Sequence, residues 1–164
     1  MATNVNKTAA LVAADLEPGE TLLAAVKASP AGQAHQQILG MAGMSQLGVA
    51  GAVAGDRLGE RWSDAGEAAR ADAGIHTGQA MQVLVGLTDR RLLMWKVGGL
   101  RGRPKELLGS VGRGDIDRLD LGTTSLFGIS QPEIVVHTTA GASFGLAVAK
   151  INRSDAEQLV AANA

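Results

Sequence analysis

The chain has 164 residues, enough for one domain with an elaboration, and 46% of them are apolar, enough for a hydrophobic core. With 15 basic and 16 acidic residues the net charge is −1, so no overall field attracts nucleic acid or an anionic membrane. Only 2% of residues are aromatic and none is cysteine, which argues against nucleic-acid stacking surfaces, disulfides and thiolate metal sites, and fits a cytoplasmic location.

Residues 1–15 carry one short apolar run behind a single lysine. A secretory signal needs a longer apolar stretch and a cleavage site, so we predict a short helix or a frayed tail in this segment. The turn signal Glu17–Glu20 follows, in which proline fixes φ and glycine relieves steric strain. Thr21–Ala28 is then the first predicted strand of a domain that spans residues 16–164.

Residues 30–78 interrupt this domain and differ from it in composition. The stretch from Ala28 to Gly55 carries no formal charge and is rich in glycine. It is long enough to span a membrane, but its glycine, serine and glutamine content is too high for a spanning helix. We therefore predict a helical Gly/Ala-rich insertion between the first two strands.

One face of this predicted helix carries small and apolar residues at helical spacing. They are Gly51, Gly55, Leu58, Gly59, Trp62, Ala65 and Ala69. Each glycine costs a helix about 1 kcal/mol relative to alanine, and close approach to another helix offsets such a cost. Two interpretations stay open: the helix packs against its own barrel, or Gly51, Gly55, Gly59, Leu58 and Trp62 form a self-association surface. Insertion into a membrane interface ranks behind both.

From residue 79 onward, strands separated by turns replace the helical pattern. Apolar residues alternate along these segments, as half-buried strands require. The predicted strands are Met81–Leu87, Arg91–Val97, Glu106–Val111, Ile116–Leu121, Ile134–Thr138 and Ser143–Val148. Gly122–Pro132 is predicted to be a long turn that carries Phe127, and Thr139–Gly141 closes the last hairpin. Ser154–Glu157 has the form of a capping box, so we predict that Ser154 begins a C-terminal helix.

Two segments resemble the bacterial pleckstrin-homology (PH)-like domain family. Val83–Leu93, which reads VLVGLTDRRLL, is similar to that family's hairpin of two hydrophobic strands joined by Thr-Asp-Arg-Arg-Leu. Leu16–Glu20, which reads LEPGE, is similar to the lead-in to the family's first strand. The resemblance covers most of residues 16–28 and 80–163, whereas residues 30–78 depart from it.

The resemblance implies a mainly β fold with α: a seven-stranded, partly open β-barrel capped by a C-terminal helix. It also implies a non-catalytic binding or scaffolding role, without a defined lipid ligand. The helical insertion is then the element in which this chain differs from the family, and we expect it to mediate self-association or binding to another protein.

A second hypothesis concerns four basic residues that have no acid between them: Lys96, Arg101, Arg103 and Lys105. In a PH-like barrel they occupy the loop after the third strand, at the same open end as the insertion and the turn Thr139–Gly141. They predict either a solvated loop or an anion site that places the protein at the periphery of an anionic membrane, where each basic residue adds about 1 kcal/mol.

No catalytic or metal-binding pattern is evident in the sequence. His35, His76 and His137 are scattered, and the acids Asp115, Asp117 and Asp120 lack the ligand spacing of a calcium loop. No phosphate loop, dinucleotide motif or nucleophile motif occurs. We therefore expect no enzymatic activity, no cofactor, no metal and no small-molecule substrate.

Overall fold

The structure is a computed structural model that describes residues 4–30, 66–78, 80, 82–98, 102–126 and 129–164. Its helices are α1 (Val5–Leu11), α2 (residues 66–72) and α3 (Arg153–Ala161). Short 3₁₀ turns cover Ala13–Asp15, Arg113–Asp115 and Lys150–Asn152. The strands are β1 (Leu22–Pro30), β2 (Val83–Thr88), β3 (Arg91–Gly98), β4 (Arg103–Gly112), β5 (Ile116–Leu126), β6 (Ile129–Thr138) and β7 (Ser143–Val148).

The seven strands form one antiparallel sheet in the order β4-β3-β2-β1-β7-β6-β5. Strands β4 and β5 are its edges, so the sheet is open between them. Helix α2 lies between β1 and β2 in sequence, and α3 follows the last strand. The fold class predicted from the sequence is therefore confirmed: seven strands, a C-terminal helix, and a helix between strands 1 and 2.

The main core lies on the inner face of the sheet because alternate residues of each strand point to the same side. Val26, Val85, Met94, Ile134 and Leu146 are fully buried there. Helix α3 adds the side chains of Ala156 and Leu159 to this core. Apart from Phe144 this core is aliphatic, as expected from the low aromatic content.

A second, smaller core lies on the outer face of β1–β3. Helix α1 covers this face, and Val12 packs there with Leu22, Leu93 and Trp95. Gly86 leaves room for this packing, since a Cβ atom at that position would lie 2.9 Å from the Trp95 ring. The N-terminal segment thus forms a helix that is part of the folded domain.

The prediction of a long turn at Gly122–Pro132 is wrong. Strands β5 and β6 extend into this segment and pair as far as Leu126 opposite Ile129. Pro132 is tolerated because β7 pairs with β6 only from Glu133 onward, so the missing N–H of Pro132 breaks no hydrogen bond to β7. Phe127, placed by the prediction in this turn, lies outside the described residues.

The predicted capping box at Ser154 is also wrong. The N-cap of α3 is Asn152, whose side chain makes no capping hydrogen bond, and Ser154 lies inside the helix. Glu157 does not reach back to the backbone of Ser154. Its carboxylate instead pairs with Arg153 one helical turn earlier, with Nε 3.0 Å from Oε1.

The turn Thr139–Gly141 does not share an end of the barrel with the loop after β3. Thr139 donates its backbone N–H to the carbonyl of Asp115 at 2.9 Å, which places the turn beside the 3₁₀ turn that follows β4. The loop after β3 lies at the other end of the ten-residue strand β4, about 30 Å away.

Candidate functional site

The structure brings three of the four predicted basic residues to the loop between β3 and β4. Lys96 near the end of β3 and Arg103 and Lys105 at the start of β4 are all exposed. The side chain of Lys105 lies against Gly98, where a Cβ atom would stand 2.9 Å from its Cδ. Arg101 lies outside the described residues.

Sequence reasoning missed a fourth cation at this loop, Lys27 of β1. A Cβ atom on Gly102 would stand 2.8 Å from Lys27 Nζ, so the ammonium group lies directly over the loop backbone. Lys27 shares a rung of the sheet with Leu84 and Trp95. That rung belongs to the outer face, and this alternation is the signal that could have placed Lys27 there.

We call Lys27, Lys96, Arg103 and Lys105 the basic rim. Within the part of the chain that the structure describes, no carboxylate lies within 4 Å of any of these cations. Glu106 is the register partner of Lys96 on the neighbouring strand and offsets one positive charge. The basic rim therefore carries an excess of positive charge that no described carboxylate pairs with directly.

The described end of the insertion is built into the barrel. Helix α2 and the residues after it lie along β4, where Ile75 forms a β-bridge with Gly109. His76 donates its backbone N–H to the carbonyl of Leu108 at 3.1 Å. Ile75 is fully buried, and Ala69 packs against the main core. Ala69 is the described member of the apolar stripe, and it packs on the chain's own barrel.

Arg70 fixes α2 to the segment that leads into β2. Its side chain is fully buried, with Nη2 2.9 Å from Glu67 Oε2 and Nε 3.1 Å from Thr77 Oγ1. Burial is the largest single influence on the pKa of Glu67 and raises it. The hydrogen bonds from Thr77 and Arg70 act in the opposite direction, and the net result is a lowered pKa. Arg70 Nη1 is buried and has no hydrogen-bond partner among the described residues, so burial of the Arg70–Glu67 ion pair carries a desolvation cost.

The two segments that carry the family resemblance contact each other. Arg91 binds Glu20 with two hydrogen bonds, Nε to Oε1 at 3.0 Å and Nη2 to Oε2 at 2.9 Å. Thr88 Oγ1 and the backbone N–H of Glu17 also donate to Glu20, each at 2.7 Å. Arg90 pairs with Glu17 at 2.9 Å at the surface. These residues therefore join the lead-in to the β2–β3 turn, and the motif has a structural role.

A row of polar side chains crosses the outer face of β5, β6 and β7. Ser143 Oγ lies 2.7 Å from His137 Nδ1, and His137 Nε2 lies 3.1 Å from Asp120 Oδ2. The same Asp120 oxygen accepts from Arg118 Nε at 2.9 Å, and this hydrogen bond lowers the pKa of Asp120. In a hydrolase triad the histidine meets serine through Nε2 and the acid through Nδ1, whereas here the order is reversed. The row is a surface network that links three strands.

Among the described residues, no group of three or more histidine, aspartate or glutamate side chains has the geometry to hold a metal ion. In the same part of the chain, no helix is long and apolar enough to cross a membrane. The predicted self-association residues Gly51, Gly55, Gly59, Leu58 and Trp62 lie outside the described residues.

A solved structure is similar to this chain over most of its length. It is a DUF1696 family protein with a pleckstrin-homology domain from Shewanella loihica PV-4, 12% identical over 98% of this chain and 92% of that one, with a TM-score of 0.45. No protein-family model matches the sequence, and no curated protein does. The description of the fold therefore rests on the strand order and the two helices of the chain itself.

Proposed function

We propose that the chain is a non-catalytic binding module in which the insertion brings copies of the chain together. The observation that supports this is the anchoring of the insertion at both ends. β1 holds it at Pro30, and α2 holds it through Arg70 and the Ile75–Gly109 bridge. An anchored segment loses less conformational freedom on binding than a free tail does, so a contact made by residues 31–65 costs less to form.

The sequence indicates which residues of the insertion would form the contact between copies. Gly51, Gly55 and Gly59 recur every four residues, which lets two helix backbones approach closely. Leu58 and Trp62 supply apolar area beside the glycines. A second copy of the chain fits this surface because the same small-residue face is then available on both sides of a two-fold contact.

The test is the replacement of Gly51 and Gly55 by leucine, G51L/G55L. Two leucine side chains on the glycine face should block the close approach and lower the mass measured by light scattering. The matched control is A50L/A54L, which adds the same side chains at the same spacing on a helix face rotated by about 100°. A wild-type chain that is monomeric at all concentrations, or an equal effect of both variants, would show that the glycine face does not mediate assembly.

The basic rim supports a second candidate function, binding to an anionic membrane surface. Its specific observation is that Lys27 lies over the same loop that Lys96, Arg103 and Lys105 flank, with no described carboxylate within 4 Å of these cations. Each basic residue near an anionic leaflet contributes about 1 kcal/mol, so four of them reach a measurable affinity at low salt.

Flotation with vesicles tests this candidate. The wild type should float with vesicles rich in phosphatidylserine at low salt and remain behind with phosphatidylcholine alone. K27E/R103E should abolish flotation, whereas K7E/K150E, which changes the net charge equally at two exposed positions outside the basic rim, should retain it. Equal loss in both variants would indicate a response to net charge and would count against a site at the basic rim.

A further inference from the structure

The two edges of the sheet differ in how their backbone groups are covered. The edge at β4 is blocked near its middle by the Ile75–Gly109 bridge and the hydrogen bond from His76 to Leu108. The edge at β5 is 11 residues long and, within the described parts of the chain, has β6 as its partner strand on one side only. Such an edge presents a row of N–H and C=O groups that can pair with another strand.

The part of β5 suited to pairing is set by the strands behind it. Ile116–Gly122 pairs with the residues of β6 from Glu133 to Thr138, and β7 backs this part of β6 from Glu133 to His137. The remaining residues of β5 belong to a two-stranded ribbon with β6, and such ribbons twist more strongly than a wider sheet. The segment Ile116–Gly122, which β6 and β7 back, is therefore centred on Leu119 and has one register irregularity, between Ile116 and Arg118.

The charges of this segment match those of a second, antiparallel copy of β5 when the pairing is centred on Leu119. Arg118 and Asp120 flank Leu119 on the exposed face. When two copies of β5 run antiparallel with Leu119 opposite Leu119, Arg118 of each copy lies opposite Asp120 of the other. Moving the centre by one residue places Arg118 opposite Arg118 or Asp120 opposite Asp120, and like charges directly opposite destabilise a strand pair.

From the edge that no described strand covers, the backed segment and the charge pattern, we infer that β5 pairs with β5 of a second copy, antiparallel and centred on Leu119. This inference rests on the proposed self-association and adds a second contact to it. Two different two-fold contacts on one chain produce assemblies larger than a dimer. Removing either contact should leave a dimer, and removing both should leave a monomer.

Charge exchange on the full-length chain tests the pairing. R118D places aspartate opposite aspartate and should lower the mass measured by light scattering from the larger assembly to a dimer. R118D/D120R exchanges the two charges and should restore the wild-type mass, because each arginine again faces an aspartate. R118D combined with G51L/G55L should be monomeric. Far-UV circular dichroism checks that each variant keeps the fold.

The outcomes separate this inference from the proposed function. If R118D keeps the wild-type mass while G51L/G55L lowers it, β5 pairing is overturned and the glycine contact stands. If R118D lowers the mass but R118D/D120R does not restore it, the loss has another cause and β5 pairing is overturned. If only the β5 variants respond, the inference stands and the glycine contact is wrong. A monomeric wild type overturns both.

Spin labels give the register directly, since the chain has no cysteine and one introduced thiol is unique. With the pairing centred on Leu119, residues 123 and 125 lie four and six residues beyond the centre in each copy. Labels at T123C and S125C are then eight and twelve residues apart along the strands, about 27 and 41 Å. Distances near 14 and 27 Å would indicate a centre at Leu121 and overturn the register.

Discussion

Glu20 illustrates how single residues hold the lead-in to the barrel. Its side chain is fully buried and accepts hydrogen bonds from Arg91, Thr88 and the backbone of Glu17. The hydrogen bonds from Arg91 are the largest cause of a pKa lowered to about 2, from an ordinary value near 4.5. A folded-state pKa below the unfolded value stabilises the fold at pH values above the unfolded pKa.

We predict that E20Q lowers the free energy of unfolding by about 3 kcal/mol at pH 7, since each pKa unit corresponds to about 1.4 kcal/mol. The ionic contribution of Glu20 is complete above pH 4.5 and is lost as the pH falls toward 2. The difference between wild type and E20Q should therefore shrink over that range. Urea denaturation at pH 7, 4 and 3 measures it.

The control for this prediction is E17Q. Glu17 also pairs with an arginine, but its side chain is 53% exposed, so solvent weakens the interaction. E17Q should cost less than about 1 kcal/mol at pH 7. Equal losses in the two variants would mean that burial of Glu20 does not determine the strength of its ion pair.

Gly109 of β4 is a second residue on which the fold depends, because the segment after α2 passes very close to its backbone. A Cβ atom at this position would overlap the carbonyl oxygen of Gly74 and stand 2.8 Å from Ile75 Cα. We predict that G109A lowers the free energy of unfolding by about 1–3 kcal/mol, the usual cost of overpacking, and speeds amide exchange at Ile75 and His76. At Gly114 a Cβ atom meets nothing within 4 Å, so G114A should change stability by less than about 0.5 kcal/mol.

At the scale of elements, the sequence predicts those strands that have one buried face and one more exposed face. Ser143–Val148 has the predicted bounds because Phe144, Leu146 and Val148 are buried on alternate positions. The outer part of the β5–β6 hairpin was not predicted because its Gly, Ser and Pro content is typical of turns.

For the candidate sites too, the sequence predicts only the groups whose residues lie close together along the chain. The basic residues of β3 and β4 lie close together in sequence and were predicted as a group. Lys27 comes from another strand, and only the register of the sheet brings it to the same loop. The pairing of Glu20 with Arg91 also joins distant segments. Sequence patterns reveal local groups, whereas contacts between distant segments require the fold.

Ser154 offers a test at the scale of one helix. A serine N-cap contributes about 1 kcal/mol, so S154A would cost that amount if Ser154 capped α3. Because Ser154 lies inside the helix and is exposed, we predict that S154A is neutral or stabilises the protein by a few tenths of a kcal/mol through higher helix propensity. Thermal denaturation measures the difference. A loss of stability near 1 kcal/mol would indicate that Ser154 does cap α3.

At the scale of the whole molecule, the proposed function gives two parts of the insertion different roles. Residues 66–78 belong to the barrel, because Ile75 is buried in the main core and Arg70 bonds to Thr77. Residues 31–65 carry the predicted glycine face. The proposed function therefore assigns folding to residues 66–78 and assembly to the glycine face, both within the segment 30–78 that composition alone sets apart.

We predict that a chain in which a Gly/Ser linker replaces residues 31–65 keeps its fold but loses the assembly mediated by the glycine face. Extending the deletion through residue 78 should destabilise the barrel, because the cavity left by Ile75 alone costs about 2–5 kcal/mol. Both shortened chains lack Trp62, so the fluorescence of Trp95, 1% exposed, reports on the barrel alone. Equal stability of the two chains would mean that α2 is not part of the folding unit, and an unchanged mass after the shorter deletion would place all self-association on the barrel.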